Sequence, residues 1–448
     1  MKIIDQLPLL ENCEVCIMGL GYVGLPLAVE ISKTKICKYT GTNLSRKVIG
    51  FDISEKRLNE LRSGIDITKE LTNKEISTSG IKNYTLDSEL IINSDLFIIT
   101  VPTPIDSANK PDLKALKSAS SIVAEALKKR KKNSLPLVVY ESTVFPGATC
   151  EICVPIIEKI SGLKLNNDFF CGYSPERINP GDKKYKLDSI VKITSGSNAI
   201  SSIWIDKFYK SIIGAGTFQA KSIKVAEAAK IIENTQRDIN IALVNELAMI
   251  CEKLRIDTLD VLEAAQTKWN FINFKPGLVG GHCIGVDPYY LTYKSQLEGY
   301  LPEVVLAGRR INDGMPKWIV EKLILTMAQK EIVIKDSKIL ILGFSFKENC
   351  TDIRNTKVSD IIKLLEEYKT DIDVVDPFSN KEEAEKFYDV KLHEVIPNNK
   401  KYSAIIVCVA HSVFKEIEIK KWKDLLIDNG FIFDIKGIVP REIEALRL

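Results

Sequence analysis

Short apolar runs alternate with amphipathic stretches through the first part of the chain. The runs EVCIMGL, KVIGFDI, DLFIITVP, LVVYEST and FFCGYSP are strand-like, whereas the segments between them have apolar residues at helical spacing. Strands buried on both faces have such continuous apolar runs, as in parallel sheets covered by helices. The pattern predicts a doubly wound domain over residues 1–205.

A different pattern begins near Gln219. The stretch KSIKVAEAAKIIENTQRDINIALVNELAMICEKL repeats apolar residues every three or four positions and contains neither proline nor glycine, which is typical of a long helix. It predicts a central helical domain over residues 206–325. An apolar stripe on such a helix favours a homodimer that forms through it.

The alternation of strands and helices resumes after Gly314 and Pro316. KILILGFSF, IDVVDP, AIIVCVA and FIFDIKG are predicted strands, and NTKVSDIIKLLEEY is a predicted helix. A second doubly wound domain is therefore expected over residues 326–448. The predicted fold class is α/β, with two doubly wound Rossmann-like domains joined by a long central helix.

Composition excludes several classes of function. The formal net charge is only +3, from 62 basic and 59 acidic residues, so no strong field attracts a nucleic acid. No apolar run reaches the roughly 20 residues of a membrane span, and Asp5 and Glu11 interrupt any signal peptide. The two CxxC pairs, Cys13/Cys16 and Cys150/Cys153, accompany only three histidines. We expect a cytoplasmic protein with no metal site and no membrane or nucleic-acid partner.

The motif GLGYVG follows the strand EVCIM and opens the helix LPLAVEIS, which is the context of a dinucleotide-binding turn. Gly19 permits the tight turn, Gly21 lets the backbone approach a pyrophosphate, and Gly24 allows close helix packing. The helix N-terminus adds partial positive charge. The predicted cofactor contacts in this turn are Gly19, Gly21, Tyr22, Val23 and Gly24.

The next strand, KVIGFD, ends in Asp52, where a carboxylate can accept hydrogen bonds from ribose hydroxyls. This position favours NAD over NADP. The inserted segment ICKYTGTNLSRK places Asp52 beyond the usual spacing of about 20 residues, and a mobile Arg57 would partly neutralise a 2′-phosphate. The alternative is that the glycines only form a turn and that Asp52 only caps a strand end.

A glycine-rich loop, GLVGGHCIGVDPYY, contains Cys283, with Asp287 four residues later. A cysteine thiolate that attacks an aldehyde gives a thiohemiacetal, which becomes a thioester when it loses a hydride. Hydrolysis of the thioester yields a carboxylate. Cys283 is therefore a candidate nucleophile, and the alternative is a buried thiol beside glycines.

The segments GLGYVGLP, VPTPI, STVFPG, SPER, AEAAKIIENT, GGHCIGVDP and GFSFKEN resemble the UDP-glucose/GDP-mannose dehydrogenase family in order and spacing. The resemblance implies an NAD-dependent, four-electron oxidation of a nucleotide sugar to a uronic acid. TPIDSANKPDL and PGLVGGHCIGVDPYYL resemble the branch that oxidises UDP-N-acetylhexosamines, with GlcNAc or GalNAc as the sugar, for surface polysaccharide synthesis.

The resemblance implies that Cys283 is the nucleophile and that Lys230 and Asn234 meet the reacting oxygen. Residues four apart on a helix project from the same face, so an ammonium and an amide there could jointly stabilise an oxyanion. Their alternative is a solvated helix face. The other implied roles are water activation by Glu176 and Asp287, water positioning by Thr143, and contact with the nicotinamide by Thr103 and Glu141.

In the last domain, Lys347 in FSFKEN and Arg354 in TDIRNT match positions that bind the substrate diphosphate in the family. Paired cationic donors suit a diphosphate. Many relatives have an arginine after the Asp-Gly that ends the final strand, where this chain has FDIKG. Whether Lys436 replaces that contact is left open.

Alternative functions remain at this point. Within the family, the substrate could be UDP-N-acetylmannosamine or UDP-glucose. Outside it, the chain could be a two-electron 3-hydroxyacid-type dehydrogenase or a non-catalytic dinucleotide-binding protein. Cys283 argues against the two-electron reaction, which needs no thiol.

Overall fold

The structure is a computed structural model that describes residues 6–81, 83–177, 187–281 and 284–448. The chain divides into two compact units, one formed by Met1–Glu233 with Tyr289–Lys294 and the other by Asn234–Pro288 with Ser295–Leu448. The predicted division into three domains, at 1–205, 206–325 and 326–448, stays a prediction.

The first unit is built on a sheet that has eight strands among the described residues, in the order β3-β2-β1-β4-β5-β6-β7-β8. Its first six strands are parallel in the 3-2-1-4-5-6 order of dinucleotide-binding folds, and β7 then runs antiparallel to β6. The strands are β1 Glu14–Met18, β2 Lys47–Phe51, β3 Asn83–Thr85, β4 Leu96–Ile99, β5 Leu137–Tyr140, β6 Phe170–Tyr173, β7 Lys192–Gly196 and β8 Thr217–Gln219.

The second unit has a six-stranded sheet among its described residues, in the order β11-β10-β9-β12-β13-β14. All of its neighbours are parallel, so it repeats the 3-2-1-4-5-6 order. The strands are β9 Lys338–Leu342, β10 Asp371–Val375, β11 Leu392–His393, β12 Tyr402–Val407, β13 Leu426–Asp434 and β14 Leu446–Arg447. Two sheets of this kind confirm the predicted fold class.

The helices follow the predicted alternation with the strands. Those of the N-terminal part are α1 Gly24–Lys33, α2 Glu55–Arg62, α3 Asn73–Ser77, α4 Lys114–Lys129, α5 Val154–Ser161 and α6 Ala199–Lys210. The later ones are α7 Ile223–Leu254, α8 Thr258–Gln266, α9 Asp287–Leu297, α10 Glu303–Gln329, α11 Val358–Glu367, α12 Lys381–Tyr388, α13 Ser412–Lys415 and α14 Ile419–Asp424.

The long helix predicted between the two sheets is α7, which ends at Leu254 because Arg255 is left-handed, with φ 59°. Gly314 and Pro316 do not interrupt the helical region, since both lie inside α10. Proline costs a helix interior about 3 kcal/mol. The apolar side chains that α10 buries in the core, Met315, Ile319, Val320, Leu323 and Met327, more than offset this cost.

The inserted segment before β2 folds back on itself. Ile36 pairs with Asn43 in an antiparallel bridge. The amide of Cys37 donates to the carbonyl of Thr42 at 2.8 Å, and the amide of Leu44 donates to the carbonyl of Lys35 at 2.7 Å. The chain therefore returns close to where it left, and Asp52 comes late in the sequence while β2 keeps its place beside β1.

Candidate active site

The turn between β1 and α1 has the geometry that a pyrophosphate needs. Gly19 has φ 93°, and a Cβ on Gly24 would lie 1.9 Å from the Gly19 carbonyl oxygen. A Cβ on Gly21, in contrast, would meet no atom within 4 Å. Two glycines are thus required by the protein's own packing, and the middle one faces open space.

The first turn of α1 is available to an anion. Its N-cap residue, Val23, makes no side-chain cap bond, and its first turn contains no acidic residue. Tyr22 and Val23 are half-buried beside the exposed Gly21. The uncapped amides and the helix dipole therefore favour a negatively charged ligand group.

Asp52 directly follows β2 and is half-buried. Its Oδ2 accepts from the amide of Leu20 at 2.8 Å, and its Oδ1 accepts from the amide of Ser54 at 2.9 Å. These bonds orient the carboxylate beside the glycine turn, and each oxygen keeps acceptor capacity for a ribose hydroxyl.

Arg57 differs from the mobile surface arginine that the sequence suggested. It is buried, its Nε donates to the Leu20 carbonyl at 2.8 Å, and its Nη2 pairs with Asp66 at 2.8 Å. Because the guanidinium is already bonded beneath the turn, Arg57 supports Leu20 and is not free to swing towards a phosphate. The geometry differs from the mobile arginine that was expected, whereas the predicted place of Arg57 among the cofactor-binding residues stays a prediction.

In the second sheet, an aspartate also follows the second strand, but its carboxylate is already bonded to protein groups. Asp376 follows β10 and is fully buried. Its Oδ2 accepts from the amides of Phe344 and Ser345, at 2.7 and 2.9 Å, and lies 3.1 Å from His411 Nε2. Burial alone would raise the pKa of Asp376, but these bonds hold it well below its usual range. The Asp376 carboxylate is therefore used within the protein, whereas that of Asp52 keeps acceptor capacity.

Thr103 and Glu141 follow β4 and β5 at the carboxyl edge of the first sheet. The Thr103 carbonyl accepts from the Tyr290 hydroxyl at 2.8 Å. The Glu141 side chain has no exposed surface, and its two oxygens bind Lys192 and Tyr209. The Glu141 carboxylate is thus bonded within the protein, and its predicted position near the nicotinamide stays a prediction.

Thr143 lies two residues beyond Glu141 and is half-buried. The loop that follows it is held by Glu227, a residue that the sequence analysis did not single out. The Glu227 carboxylate accepts from the amides of Gly147 and Thr149, at 2.5 and 2.9 Å. Burial raises the pKa of Glu227 to about 7. The one sequence feature that could have pointed to Glu227 is its position on α7, three residues before Lys230.

Glu176 follows β6 and is buried. Its Oε1 accepts from the amide of Arg177 at 2.6 Å, and its Oε2 lies 3.6 Å from the Lys192 ammonium. A carboxylate held at a sheet edge in this way suits proton transfer.

Lys230 and Asn234 both belong to α7, and Lys230 is 7% exposed. The Asn234 side-chain amide donates to Asp287 Oδ2 at 2.5 Å, and Asp287 is the first residue of α9. The structure therefore brings Asn234, predicted to meet the reacting oxygen, into contact with Asp287, predicted to activate water, and both roles stay predictions. Cys283, the predicted nucleophile, lies outside the described residues.

Lys347 and Lys436 line one cavity of the second unit, together with Ser345 and Phe346. Ser345 Oγ donates to the Lys347 carbonyl at 2.8 Å, which fixes the loop. Burial lowers the pKa of Lys436. Lys436 thus stands where a second ammonium beside Lys347 would reach an anion in this cavity.

Arg354 was predicted, like Lys347, to bind the substrate's diphosphate or its surroundings. Among the described residues, however, it is absent from the cavity wall. Its Nε and Nη2 form a two-point pair with Asp352, at 2.8 and 2.6 Å. The guanidinium is turned towards this neighbouring carboxylate, and the predicted contact of Arg354 with the substrate stays a prediction.

Three family descriptions match consecutive parts of the chain. The NAD binding domain of the UDP-glucose/GDP-mannose dehydrogenase family matches residues 13–213, its central domain matches 224–314, and its UDP binding domain matches 340–441. The chain belongs to this family. The predicted resemblance and the NAD cofactor are thereby confirmed, and the chain is an NAD-dependent oxidoreductase that acts on UDP-sugars.

Two bacterial dehydrogenases of this family are similar over nearly their whole length. The UDP-N-acetyl-D-glucosamine 6-dehydrogenase of Salmonella typhi is 50% identical over 440 residues, which is 98% of this chain and 99% of the relative. That of Pseudomonas aeruginosa is 49% identical over 439 residues, 98% of this chain and 100% of the relative. UDP-D-ManNAc dehydrogenase from Pyrococcus horikoshii has a similar structure, with a TM-score of 0.82 at 27% identity over 96% of both chains.

Two further observations concern the described residues as a whole. The described residues contain no cluster of three or more histidine, cysteine or acidic side chains that could hold a metal. In the same part of the chain, we find no helix with the length and apolar character needed to cross a membrane.

Proposed function

We propose that the chain oxidises C6 of UDP-N-acetylglucosamine, or of the galacto epimer, to the uronic acid in surface polysaccharide synthesis. The observation that supports this choice of sugar is the identity of about half of all residues with two UDP-N-acetyl-D-glucosamine 6-dehydrogenases. The 29% identity with a UDP-N-acetyl-D-mannosamine dehydrogenase of Methanococcus maripaludis favours the manno substrate less.

The glycine turn and Asp52 fit NAD. Bound there, NAD would accept the hydride of each oxidation, while Gly21 and the first turn of α1 would hold its diphosphate. The carboxylate of Asp52, oriented by the Leu20 and Ser54 amides, would accept from the ribose. It would also repel the additional phosphate of NADP.

Asp52→Asn is expected to raise the ratio of kcat/KM for NADP to that for NAD by about tenfold or more, because a like-charge contact disappears. The amide oxygen can still accept from the Leu20 amide in the turn, while the bond from the Ser54 amide is lost. Steady-state kinetics with both cofactors measure the ratio. The control is Glu55→Gln, which removes a nearby exposed carboxylate that pairs with Arg62. It should leave the ratio of the two kcat/KM values unchanged. An unaltered ratio in Asp52→Asn would contradict the assignment.

The proposed chemistry needs a nucleophile, an oxyanion partner and a base. The first oxidation removes the C6–H hydride and the hydroxyl proton and leaves an aldehyde. The Cys283 thiolate adds to the aldehyde carbon, and loss of the second hydride from this thiohemiacetal gives a thioester. Lys230 and Asn234 are assigned to the oxygen that carries negative charge in these steps.

Hydrolysis completes the reaction. Water attacks the thioester carbonyl, its proton passes to a carboxylate, the C–S bond breaks, and the Cys283 thiolate leaves. Thr143, Glu176 and Asp287 are assigned to this step. Of these, Asp287 is bonded to Asn234, and Glu176 is set beside the Lys192 ammonium.

Lys347 and Lys436 are assigned to the UDP diphosphate, because both line the cavity in the unit that includes the UDP binding domain. Arg354 would reach the substrate only if it left Asp352. Paired ammonium groups stabilise a diphosphate through charge-assisted hydrogen bonds.

A homodimer through α7 is part of the proposal. Leu243, Ile250 and Leu254 lie on one face of this helix and are 53%, 47% and 63% exposed. Exposed apolar faces of this kind are typical of subunit interfaces. Leu243→Glu with Ile250→Glu should convert a dimer into a monomer in light scattering, and a monomeric unmodified protein would contradict the interface.

The substrate assignment is tested by comparing kcat/KM for UDP-N-acetylglucosamine, UDP-N-acetylgalactosamine, UDP-N-acetylmannosamine and UDP-glucose. We expect the gluco or galacto N-acetyl sugars to be used at least about tenfold better than the other two. A pocket that hydrogen-bonds the acetamido group would leave polar groups unpaired with UDP-glucose. Equal or better use of UDP-glucose would refute the N-acetylhexosamine assignment.

A further inference from the structure

A buried group of charges lies at the carboxyl edge of the first sheet. Lys192 is 4% exposed, and its ammonium lies 2.7 Å from Glu141 Oε2 and 3.6 Å from Glu176 Oε2. The other oxygen of Glu141 accepts from the Tyr209 hydroxyl. We refer to Glu141, Lys192 and Glu176 as the buried triad.

The sheet topology explains how these residues meet. Glu141 and Glu176 follow the parallel strands β5 and β6, so both lie at the carboxyl edge, where ligands bind in such sheets. Lys192 begins β7, which is antiparallel to β6. The amino end of β7 therefore lies beside the carboxyl end of β6. This places Lys192 at the same edge of the sheet as Glu141 and Glu176.

The charges of the triad are unequal. One ammonium faces two carboxylates, and burying three charged groups is costly unless each is paired. Burial alone would lower the pKa of Lys192, but the charges of Glu141 and Glu176 raise it overall, so Lys192 stays protonated. Burial raises the pKa of Tyr209 well above its usual range, so its hydroxyl stays a donor to Glu141.

The two carboxylates also differ in their surroundings. Glu141 is enclosed, with both oxygens bonded within the protein. Glu176 lies at the end of the group, next to Arg177, whose guanidinium pairs with Glu233 on α7 at 2.9 Å. Lys192 pairs directly with the Glu176 carboxylate, whereas Arg177 pairs with Glu233.

We propose that Lys192 is a positioning residue for thioester hydrolysis, whose ammonium holds the Glu176 carboxylate in place to accept the proton of the attacking water. Glu141 and Tyr209 hold Lys192 in place and share its charge. The inference rests on the proposed function, since it assigns no role to Lys192 in the hydride transfers. A cation this close to a carboxylate favours its charged form.

Two substitutions should have opposite effects. In Lys192→Met, the cation is lost, and the low-pH limb of the rate of uronate release is expected to move up by about one pH unit. In Glu141→Gln, the competing carboxylate is lost, Lys192 acts on Glu176 alone, and the limb should move down. A purely structural role would impair both variants without opposite shifts.

The measurement is a single turnover with UDP-N-acetylglucosamine and NAD across a range of pH. Uronate release is followed by chromatography, and the covalent enzyme adduct by mass spectrometry of the intact protein. At low pH, Lys192→Met should accumulate the adduct relative to the unmodified enzyme. Lys210→Met is the matched control, because it removes a half-exposed lysine that pairs with Asp206 on the same helix, and should leave the profile unchanged.

The proposal would be overturned if the low-pH limb of uronate release moved in the same direction in Lys192→Met and Glu141→Gln, or if it did not move in Glu141→Gln. If Lys192→Met does not fold, the proposal is tested with Glu141→Gln and with the double variant Glu141→Gln/Lys192→Met. The low-pH limb of uronate release should lie at higher pH in the double variant than in Glu141→Gln. Absence of uronate from the unmodified enzyme would instead refute the proposed function. Normal uronate release with unshifted profiles would refute only the role of Lys192.

Discussion

Replacing Cys283 with alanine is expected to lower uronate formation by roughly 10³-fold or more, because no thioester can form from which water releases the acid. The first hydride transfer does not need the thiol, so the variant should still produce some NADH. Chromatographic detection of the uronate, together with absorbance of NADH, separates the two oxidations.

The matched control for this substitution is Cys150→Ala. Cys150 is the exposed cysteine among those described, and its loss should leave uronate formation unchanged. Cys283→Ser is expected to trap a slowly hydrolysed ester, visible as added mass on the protein, since an alkoxide leaves less readily than a thiolate. Uronate formation by Cys283→Ala at the unmodified rate would contradict covalent catalysis.

Lys230→Met is expected to lower kcat by about 10²–10³-fold, which is the usual cost of removing one donor to a developing oxyanion. The substitution keeps the length of the side chain, and Lys230 is buried on α7, so the methionine should fit. KM for NAD should change little, because the glycine turn and Asp52 are untouched. Steady-state kinetics over both substrates provide the test.

Lys224→Met is the control for the loss of a positive charge on the same helix. Lys224 is exposed, and its closest carboxylate, Glu151, is 3.9 Å away, so kcat should stay within about twofold of the unmodified value. If Lys230→Met retained normal kcat, or if both variants lost activity equally, Lys230 would not be the oxyanion partner.

The alternation of strands and helices could be predicted because buried parallel strands need apolar residues at every position. EVCIM, LFII and KILIL became β1, β4 and β9. The short strands β3 and β8 and the partly polar β7 gave no such signal. Lys192, the first residue of β7, is buried only because two carboxylates from other strands surround it, and a hydrophobic pattern cannot show that pairing.

Local motifs predicted the cofactor turn well because its function depends on neighbouring residues. Gly19, Gly21 and Gly24 act within six consecutive positions. The burial of Arg57 could not be predicted, because its partners, Leu20 and Asp66, come from other segments. Arg354 was placed by resemblance alone, whereas its pairing with Asp352, two residues away, depends on the local conformation of the loop.

Glu227 shows a third limit of sequence reasoning. Its carboxylate binds amides about 80 residues earlier in the chain, so only the folded chain reveals the contact. The site roles of Cys283, Lys230 and Thr143 stay predictions, which rest on motif resemblance and on chemistry. The variants of Cys283 and Lys230 test two of these roles directly.

The number of NADH molecules formed per molecule of UDP-N-acetylglucosamine tests the central claim most directly. The sugar is supplied in limiting amount with excess NAD, and the product mass is determined when absorbance stops rising. The account predicts two NADH per sugar and a single product, the uronic acid. One NADH per sugar with an aldehyde as the final product, or no NADH at all, would contradict a four-electron oxidation.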